Sequence, residues 1–258
     1  METYRQEGVV CLRQIFPDDW IEFMRDAVEI AMANPGPHSE EYERDGGGRF
    51  FGDLDIWRRH DPFRRFILKS PAAEIAGRVM QADRVNFFYD QLLVKEPGTA
   101  AATPWHQDQP YWAVSGRQVA SIWLPFDPVE KSAAVEYIRG SHNWTEYSPY
   151  HFSDGSAYAD TGLPMLPDIE AARGDYDIVS FEMEPGDCLV FQAMIVHGAP
   201  ANRTGNRRRA LATRWTGDDA RYCIRQGEVA IPTRDPGLGH GDRMDCDDFP
   251  CVWVRAAP

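Results

Sequence analysis

Seven short runs of β-branched and aromatic residues occupy the chain between residues 85 and 215. Turn-forming pairs such as Pro97-Gly98, Gly140-Ser141 and Pro185-Gly186 separate them. Short strands that alternate with turns of this kind are typical of antiparallel sheets that pack as sandwiches or barrels. The pattern predicts a mainly β protein with flanking helices, built on a double-sheet jelly-roll (cupin-like) barrel. Its expected strands are 85–94, 119–126, 134–138, 177–182, 187–191, 194–197 and 209–215.

The first 84 residues show the period of helices instead. Apolar residues recur every three or four positions over 17–34, where prolines mark both ends. Ser70 and Pro71 predict a second helix that ends near Met80, because serine caps a helix and proline suits its first turn. The length of the chain favours a single catalytic domain over 1–258. We expect a helical part over 1–84, a jelly-roll core over 85–222 with a lid insertion at 145–176, and a C-terminal tail over 223–258.

Acidic residues outnumber basic ones by 40 to 27, which gives a net charge of −13. This charge opposes a broad attraction to nucleic acid or to an anionic membrane. The sequence shows no basic start followed by an apolar segment, and no apolar run approaches the roughly 18 residues of a membrane span. Five cysteines without a CxxC pair indicate neither a disulfide framework nor a zinc finger. We therefore expect a cytoplasmic protein whose partner is a small molecule rather than nucleic acid or membrane, with its oligomeric state left open.

Three residues indicate a metal site. His106 and Asp108 are two positions apart, and His197 ends an apolar run. Side chains at i and i+2 of a strand project from the same face, so His106 and Asp108 can reach one ion. Two histidines and one carboxylate form the facial triad of non-haem Fe(II) sites. A second pair with the same spacing, His240 and Asp242, lies in a glycine-rich tail with no histidine after it and is not expected to bind metal.

Several motifs occur together and in one order around these residues. They are Leu93-Val94-Lys95-Glu96-Pro97-Gly98, Thr103-Pro104-Trp105-His106-Gln107-Asp108-Gln109-Pro110-Tyr111-Trp112, Arg139-Gly140-Ser141-His142, Pro185-Gly186-Asp187, and His197-Gly198-Ala199-Pro200-Ala201-Asn202-Arg203-Thr204 followed by Arg207-Arg208-Arg209-Ala210-Leu211. As a set they resemble the phytanoyl-CoA dioxygenase family of Fe(II)- and 2-oxoglutarate-dependent oxygenases. The resemblance covers residues 85–222. It implies a double-stranded β-helix, a catalytic Fe(II) held by His106, Asp108 and His197, 2-oxoglutarate as co-substrate and O2 as oxidant, but it does not imply phytanoyl-CoA as the substrate.

The resemblance also implies a co-substrate site. Family members hold the distal carboxylate of 2-oxoglutarate with an arginine eleven residues after the second histidine, which is Arg208 here, and the planar donor fork of arginine suits a carboxylate. Arg207 and Arg209 alternate in direction with Arg208 on a strand and are expected to face solvent, although a register shift of one residue would exchange these roles. Gln91 is the candidate donor to the keto-acid end. Trp123 resembles a family position that lines the co-substrate pocket.

Three aromatic residues lie just beyond the metal-binding and co-substrate segments. Tyr111, Trp112 and Trp215 are expected to form an apolar wall for the prime substrate. The resemblance and the triad together imply that the protein hydroxylates, or otherwise oxidises, a small organic molecule and releases succinate and CO2. Asp108 favours hydroxylation, because related halogenases have a small residue in place of this carboxylate. Two alternatives stay open, a non-catalytic ligand-binding barrel and a zinc-dependent hydrolase that uses the same His/Asp/His ligands.

Overall fold

Helices are concentrated in the first third of the chain. The computed structural model describes residues 1–41, 48–100, 102–152 and 155–256. Within these ranges the four α-helices are α1 (Glu2–Glu7), α2 (Asp18–Ala33), α3 (Asp61–Lys69) and α4 (Ala72–Met80). The helices predicted over 17–34 and 70–80 correspond to α2 and α4, whereas α1 and α3 are additional. None of the helices in the described ranges is both long and apolar enough to cross a lipid bilayer.

Strands make up most of the remaining regular structure. Each of the seven predicted strands has a counterpart, although the run 194–197 overlaps its strand only at His197. Seven further strands, each of two to five residues, were not predicted. In chain order the strands are β1 (Val9–Leu12), β2 (Glu40–Glu41), β3 (Phe50–Leu54), β4 (Arg84–Lys95), β5 (Thr103–His106), β6 (Val114–Ser115), β7 (Val119–Pro125), β8 (Glu136–Ile138), β9 (Ile178–Ser180), β10 (Cys188–Gln192), β11 (His197–Ala199), β12 (Arg208–Thr216), β13 (Arg221–Tyr222) and β14 (Cys251–Val254).

Two antiparallel sheets pack against each other. Among the described residues, the major sheet has eight strands in the order β1-β10-β7-β12-β4-β3-β2, with β14 also paired to β4. The minor sheet has the order β5-β11-β8-β9, and β6 pairs with β13. Buried side chains from both sheets, including Trp123, Tyr137 and Phe191, form one apolar cluster. This arrangement confirms the predicted fold class, a mainly β jelly roll with flanking helices.

The major sheet draws strands from outside the predicted core of 85–222. β1 and β3 come from the part expected to be helical, and β14 comes from the C-terminal tail. Val9 pairs with Phe191, and Trp253 pairs with Val85. These strands bind backbone groups of β10 and β4 that would otherwise lie unpaired at a sheet edge. The helical part expected over 1–84 and the tail expected over 223–258 thus each contribute strands that the sequence did not predict.

A second apolar cluster joins the helices to the outer face of the major sheet. It contains Val28 of α2, Phe66 of α3 and Ala76 of α4 together with Leu211 and Trp215 of β12. β12 thus separates two environments, because its alternate side chains face the helices or the space between the sheets. That space contains the candidate functional site.

Candidate metal and co-substrate site

The three predicted metal ligands meet in one place. The ligand atoms of His106, Asp108 and His197 all lie within 4.8 Å of one another, and the three residues are buried. The Oδ1 atom of Asp108 is 3.3 Å from Nε2 of His106 and 3.8 Å from Nε2 of His197. Two ligands that bind one ion at about 2.0–2.2 Å and at a right angle are about 3 Å apart. The side chains therefore fit a single metal ion with only a small adjustment.

Strand pairing positions the two histidines. β11 pairs with β5, which places His197 directly opposite His106. Nδ1 of His106 lies 2.8 Å from the carbonyl oxygen of Pro104, and Nδ1 of His197 lies 3.1 Å from that of Ile195. A carbonyl only accepts hydrogen bonds, so Nδ1 of each ring carries the proton. The unprotonated Nε2 of each ring is thereby directed to the shared space, as a metal ligand must be.

Asp108 reaches the site through a turn. β5 ends at His106, and Asp108 has helical dihedral angles (φ −73°, ψ −47°) at the start of a 3₁₀ turn over Gln109–Tyr111. The backbone N–H groups of Asp108 and Gln109 both donate to the carbonyl of Ala193, at 3.0 and 2.9 Å. Ser121 Oγ donates to Oδ2 of Asp108 at 3.3 Å. The expectation that an extended strand aligns His106 with Asp108 is wrong, although the two side chains do converge.

The surroundings favour the protonation states that a metal requires. Burial alone would raise the pKa of Asp108, but His197, the hydrogen bond with His106 and the guanidinium of Arg214 hold this pKa well below its ordinary value. Burial, and then the neighbouring His106, lower the pKa of His197 to about 4. At neutral pH the site therefore offers an ionised carboxylate and a neutral His197 imidazole, both of which can bind a divalent cation.

The triad opens into a cavity of about 390 Å³ between the two sheets. The three predicted co-substrate residues, Gln91, Trp123 and Arg208, also line this cavity. Arg208 is buried, donates from Nη1 to the carbonyl of Ala133, and lies 5.7 Å from the centre of the Trp123 ring. It forms no ion pair with any carboxylate in the part of the chain that the structure describes. A buried guanidinium without a carboxylate partner suits an anionic ligand.

The neighbouring arginines, Arg207 just before β12 and Arg209 within it, do not line the cavity. Arg207 pairs with Glu29 and Glu96, and Arg209 pairs with Asp127 and Glu29. Of the three consecutive arginines, the cavity is lined by Arg208 alone. As expected from the sequence, Arg208 points into the cavity and its two neighbours do not.

Two residues that were not among the sequence candidates lie near Arg208, and of the two Tyr137 lines the cavity. Lys95 is the antiparallel partner of Arg208, is buried, and places Nζ 3.4 Å from the carbonyl of Pro200. Burial, and then the nearby Arg208, lower the pKa of Lys95 to about 6. The Tyr137 ring stacks on His197 with centroids 5.6 Å apart, and its buried hydroxyl has no hydrogen-bond partner among the described residues. The hydroxyl of Tyr137, which lines the cavity with Arg208, suits an anionic ligand that accepts hydrogen bonds.

Arg214 was also missed, although the alternation of β12 indicates it. The even-numbered positions from Arg208 share one face of the strand, and Arg208, Ala212 and Arg214 all line the cavity. Arg214 Nη2 donates to Oε1 of Gln91 at 3.0 Å. The amide of Gln91 is thus held by an arginine, and its expected role as a donor to the keto-acid end stays a prediction.

Residues 4–210 match the family model described as phytanoyl-CoA dioxygenase (PhyH). The chain belongs to the phytanoyl-CoA dioxygenase family. Similar relatives include the multifunctional dioxygenase ausE of Penicillium brasilianum, to which the chain is 26% identical over 231 residues. That match covers 81% of the chain and 69% of the relative. The predicted family is confirmed, and with it the prediction that this dioxygenase depends on Fe(II), 2-oxoglutarate and O2.

Two solved structures of similar fold come from nogalamycin biosynthesis. The non-heme alpha ketoglutarate dependent carbocyclase SnoK aligns with a TM-score of 0.77 at 20% identity, over 98% of this chain and 94% of SnoK. The epimerase SnoN, in complex with Fe³⁺, alpha ketoglutarate and nogalamycin RO, aligns with a TM-score of 0.77 at 19% identity, over 98% of this chain and 96% of SnoN. At these identities the likeness shows the fold alone.

A second cavity of about 520 Å³ lies beside the first in this dioxygenase. We call it the outer cavity. The two cavities share the lining residues Glu41, Gln91, His106, Asp108, Phe152 and Arg214. Tyr111 and Trp112, both predicted to contact the substrate, line the outer cavity. The described residues of the expected lid at 145–176, which exclude 153 and 154, contribute Tyr150, His151, Phe152 and Tyr158 to the same wall. The movement of this segment as a lid stays a prediction.

Trp215 lines neither of these cavities. Its side chain is fully buried in the cluster beneath the helices, where its ring meets Phe87 edge-on with centroids 5.1 Å apart. Its Nε1 donates to Oγ1 of Thr213 at 2.9 Å. The prediction that Trp215 contacts the substrate is wrong, because alternation along β12 directs Arg214 into the site and Trp215 away from it.

We expect Trp215→Ala to destabilise the fold without changing ligand affinity. Removing a buried tryptophan of this kind costs about 3–5 kcal/mol in free energy of unfolding. Urea denaturation measures that loss, and calorimetric titration of the iron-loaded protein with 2-oxoglutarate should give an unchanged Kd. The milder Trp215→Phe provides a folded comparison. Weaker 2-oxoglutarate binding in a folded Trp215 variant would contradict the assignment to the core.

Proposed function

We propose that this dioxygenase hydroxylates a small organic molecule and releases succinate and CO2. The observation that carries the proposal is the presence of His106, Asp108, His197 and Arg208 around one buried cavity. Bound iron supplies oxidative chemistry, in which O2, 2-oxoglutarate and a substrate C–H group are converted to succinate, CO2 and an alcohol.

In this proposal Arg208 binds the distal carboxylate of 2-oxoglutarate through charge-assisted hydrogen bonds. The hydroxyl of Tyr137 gains the partner that it otherwise lacks among the described residues. Lys95, which pairs with Arg208 across the sheet, adds positive charge when it takes up a proton. His106, Asp108 and His197 hold the iron, so the keto-acid end of the co-substrate lies between these ligands and Arg208. Apolar neighbours keep water away from this space; they include Leu93, Val135, Phe152 and Phe191.

The outer cavity is the proposed place of the prime substrate. It adjoins His106 and Asp108 on the side away from Arg208, and Tyr111, Trp112 and Tyr158 supply aromatic surface there. Such a lining favours an apolar or ring-containing compound. A small-molecule partner, a single catalytic domain over 1–258 and a cytoplasmic location belong to the same proposal. The five cysteines are unpaired, which agrees with a reducing compartment.

Succinate formation tests the proposed function. The protein with Fe(II), ascorbate, 2-oxoglutarate and a panel of ring-containing small molecules is analysed by mass spectrometry for succinate and for products heavier by one oxygen atom. We expect succinate to depend on both iron and 2-oxoglutarate. A protein that neither binds nor consumes 2-oxoglutarate but retains zinc would support the hydrolase alternative. Binding of small molecules without any dependence on metal or 2-oxoglutarate would support the non-catalytic barrel.

Binding of 2-oxoglutarate is expected to take up a proton at Lys95. The pKa of this lysine is lowered to about 6 by burial and by Arg208, so the amine is mostly neutral at about pH 7.5. A carboxylate bound at Arg208 favours the charged amine and raises this pKa. Affinity should therefore be fully present below about pH 6 and should fall as the pH rises towards the pKa of the complex. Calorimetry in buffers of different ionisation enthalpy measures the uptake, which is expected to approach about one proton.

Two variants test whether Lys95 is the group that takes up the proton. Lys95→Met should abolish the uptake and flatten the pH dependence of the 2-oxoglutarate Kd. Lys69→Met removes an exposed lysine at the end of α3 and should leave both unchanged. The same proton uptake in Lys95→Met as in the unaltered protein would contradict the prediction.

A further inference from the structure

Arg214 is a second buried arginine of the site, at a different place from Arg208. The two residues lie on the same face of β12, six positions apart, which corresponds to about 20 Å along an extended strand. Arg208 lines only the first cavity, next to the triad, whereas Arg214 lines both that cavity and the outer cavity. Arg214 pairs across the sheet with Ser121, whose hydroxyl donates to Asp108. Arg214 therefore borders the outer cavity, which Arg208 does not line.

The contacts of Arg214 hold it in place without neutralising it. Nη1 donates to the carbonyl of Ala212 and Nη2 donates to Gln91, each at 3.0 Å. The guanidinium lies 4.7 Å from the centre of the Tyr89 ring and 5.9 Å from that of Trp112. The side chain is only 5% exposed, and its buried Nε has no acceptor among the described residues.

No carboxylate in the described ranges forms an ion pair with Arg214. Asp108 acts on it only through a longer-range attraction, and this carboxylate is engaged by the histidines of the metal site. The other carboxylates of the outer cavity, Glu40 and Glu41, are exposed at its rim, and Glu41 is paired with Arg49. A buried cation without a paired anion is costly for a protein. Its retention beside a ligand cavity indicates that the ligand supplies the anion.

Gln91 extends the same set of donors. Arginine can only donate hydrogen bonds, so the oxygen of the Gln91 amide must be the atom that faces Arg214. This orientation leaves Nε2, a donor, as the other arm of the amide. Gln91 lines both cavities, and its side chain has no other hydrogen bond among the described residues. Arg214 and Gln91 thus form a cluster of N–H donors next to the substrate space, which suits a group that only accepts hydrogen bonds.

We propose that Arg214, oriented by Gln91, binds a carboxylate of the prime substrate, so that this dioxygenase acts on an apolar or ring-containing organic acid. The inference rests on the proposed function and narrows its substrate class. The carboxylate binds beside Arg214, and Tyr111, Trp112 and Phe152 contact the apolar body of the acid. The acid group determines which carbon of the substrate is held near the metal.

Matched pairs of probe compounds test this inference by binding alone. The probes are 3-phenylpropionate and indole-3-acetate, each compared with its own primary amide, titrated calorimetrically into anaerobic protein loaded with Fe(II) and 2-oxoglutarate. We expect at least one acid to bind about tenfold or more tightly than its amide, because a charge-assisted pair is stronger than a neutral hydrogen bond. Arg214→Gln should abolish this preference in a protein that still binds 2-oxoglutarate. Arg78→Gln, which alters an exposed arginine of α4, should retain the preference.

Arg214→Lys keeps the positive charge and provides a second variant if Arg214→Gln does not fold. It should retain a reduced preference for the acid, because lysine lacks the planar donor fork. The inference is overturned if neither acid binds more tightly than its amide, if the preference survives in Arg214→Gln, or if that variant loses 2-oxoglutarate instead. Failure of the unaltered protein to bind Fe(II) or 2-oxoglutarate is a separate result, which would overturn the proposed function itself.

Discussion

Asp108→Ala is expected to abolish iron binding in a protein that remains folded. The variant removes the one carboxylate of the triad and leaves two histidines with Arg214 nearby, so a divalent cation loses both a ligand and the charge that balances it. Loss of residues that merely orient metal ligands weakens binding by about 10–100-fold, and loss of a ligand should exceed that range. The local backbone should persist, because its hydrogen bonds to the carbonyl of Ala193 come from main-chain N–H groups.

Metal analysis and Fe(II) titration measure this effect, with circular dichroism as the check on folding. His197→Ala should give the same result. The matched control is His240→Ala, in the second His-x-Asp sequence of the chain. His240 accepts a hydrogen bond from the backbone of Ile224, and Asp242 accepts one from that of Gly239. Iron binding that survives in Asp108→Ala but is lost in His240→Ala would show that the wrong pair had been chosen.

The sequence predicts the strands well because their signals are local. Alternation and turn pairs are contained within each segment, so β4, β7, β10 and β12 fall within two residues of their expected bounds at each end. The pairing of β1 with β10 and of β14 with β4 depends on contacts between distant parts of the chain. A short run such as Cys251–Val254 acquires its role as a strand only from the neighbour that it meets. No local pattern contains that information.

The candidate site was predictable to the extent that it follows a strand period. The family resemblance identifies Arg208, and the period of β12, carried six residues further from it, also yields Arg214 and removes Trp215 from the site. Lys95 is four residues after Gln91 on β4, so the two side chains share one face of the strand. Asp108 converges with His106 for a different reason, because the strand ends and a turn begins. Phe152 comes from a long connection without a repeating pattern, so its place at the cavity could only be seen in the folded chain.

Arg208→Gln is expected to weaken 2-oxoglutarate binding by roughly 100-fold to 1000-fold with iron binding unchanged. The guanidinium is buried and lacks a carboxylate partner among the described residues, and in the proposed function the co-substrate supplies the charge that it pairs with. Removing one member of a buried, hydrogen-bonded charge pair costs about 2–5 kcal/mol. The 2-oxoglutarate Kd of Arg208→Lys should lie between those of the unaltered protein and of Arg208→Gln, because an ammonium group keeps the charge but lacks the planar fork. Calorimetry of the iron-loaded protein gives the Kd of each variant.

The neighbours of Arg208 are controls matched in residue type and, for Arg209, in strand. Arg209→Gln removes ion pairs with Asp127 and Glu29 on the far side of β12, and Arg207→Gln removes those with Glu29 and Glu96. Both should leave the 2-oxoglutarate Kd unchanged, because neither side chain lines the cavity. If Arg207→Gln or Arg209→Gln lost as much affinity for 2-oxoglutarate as Arg208→Gln, the register of this strand in solution would differ by one residue. Since alternation assigns one arginine of the three to the site, only one of the three variants should lose the co-substrate.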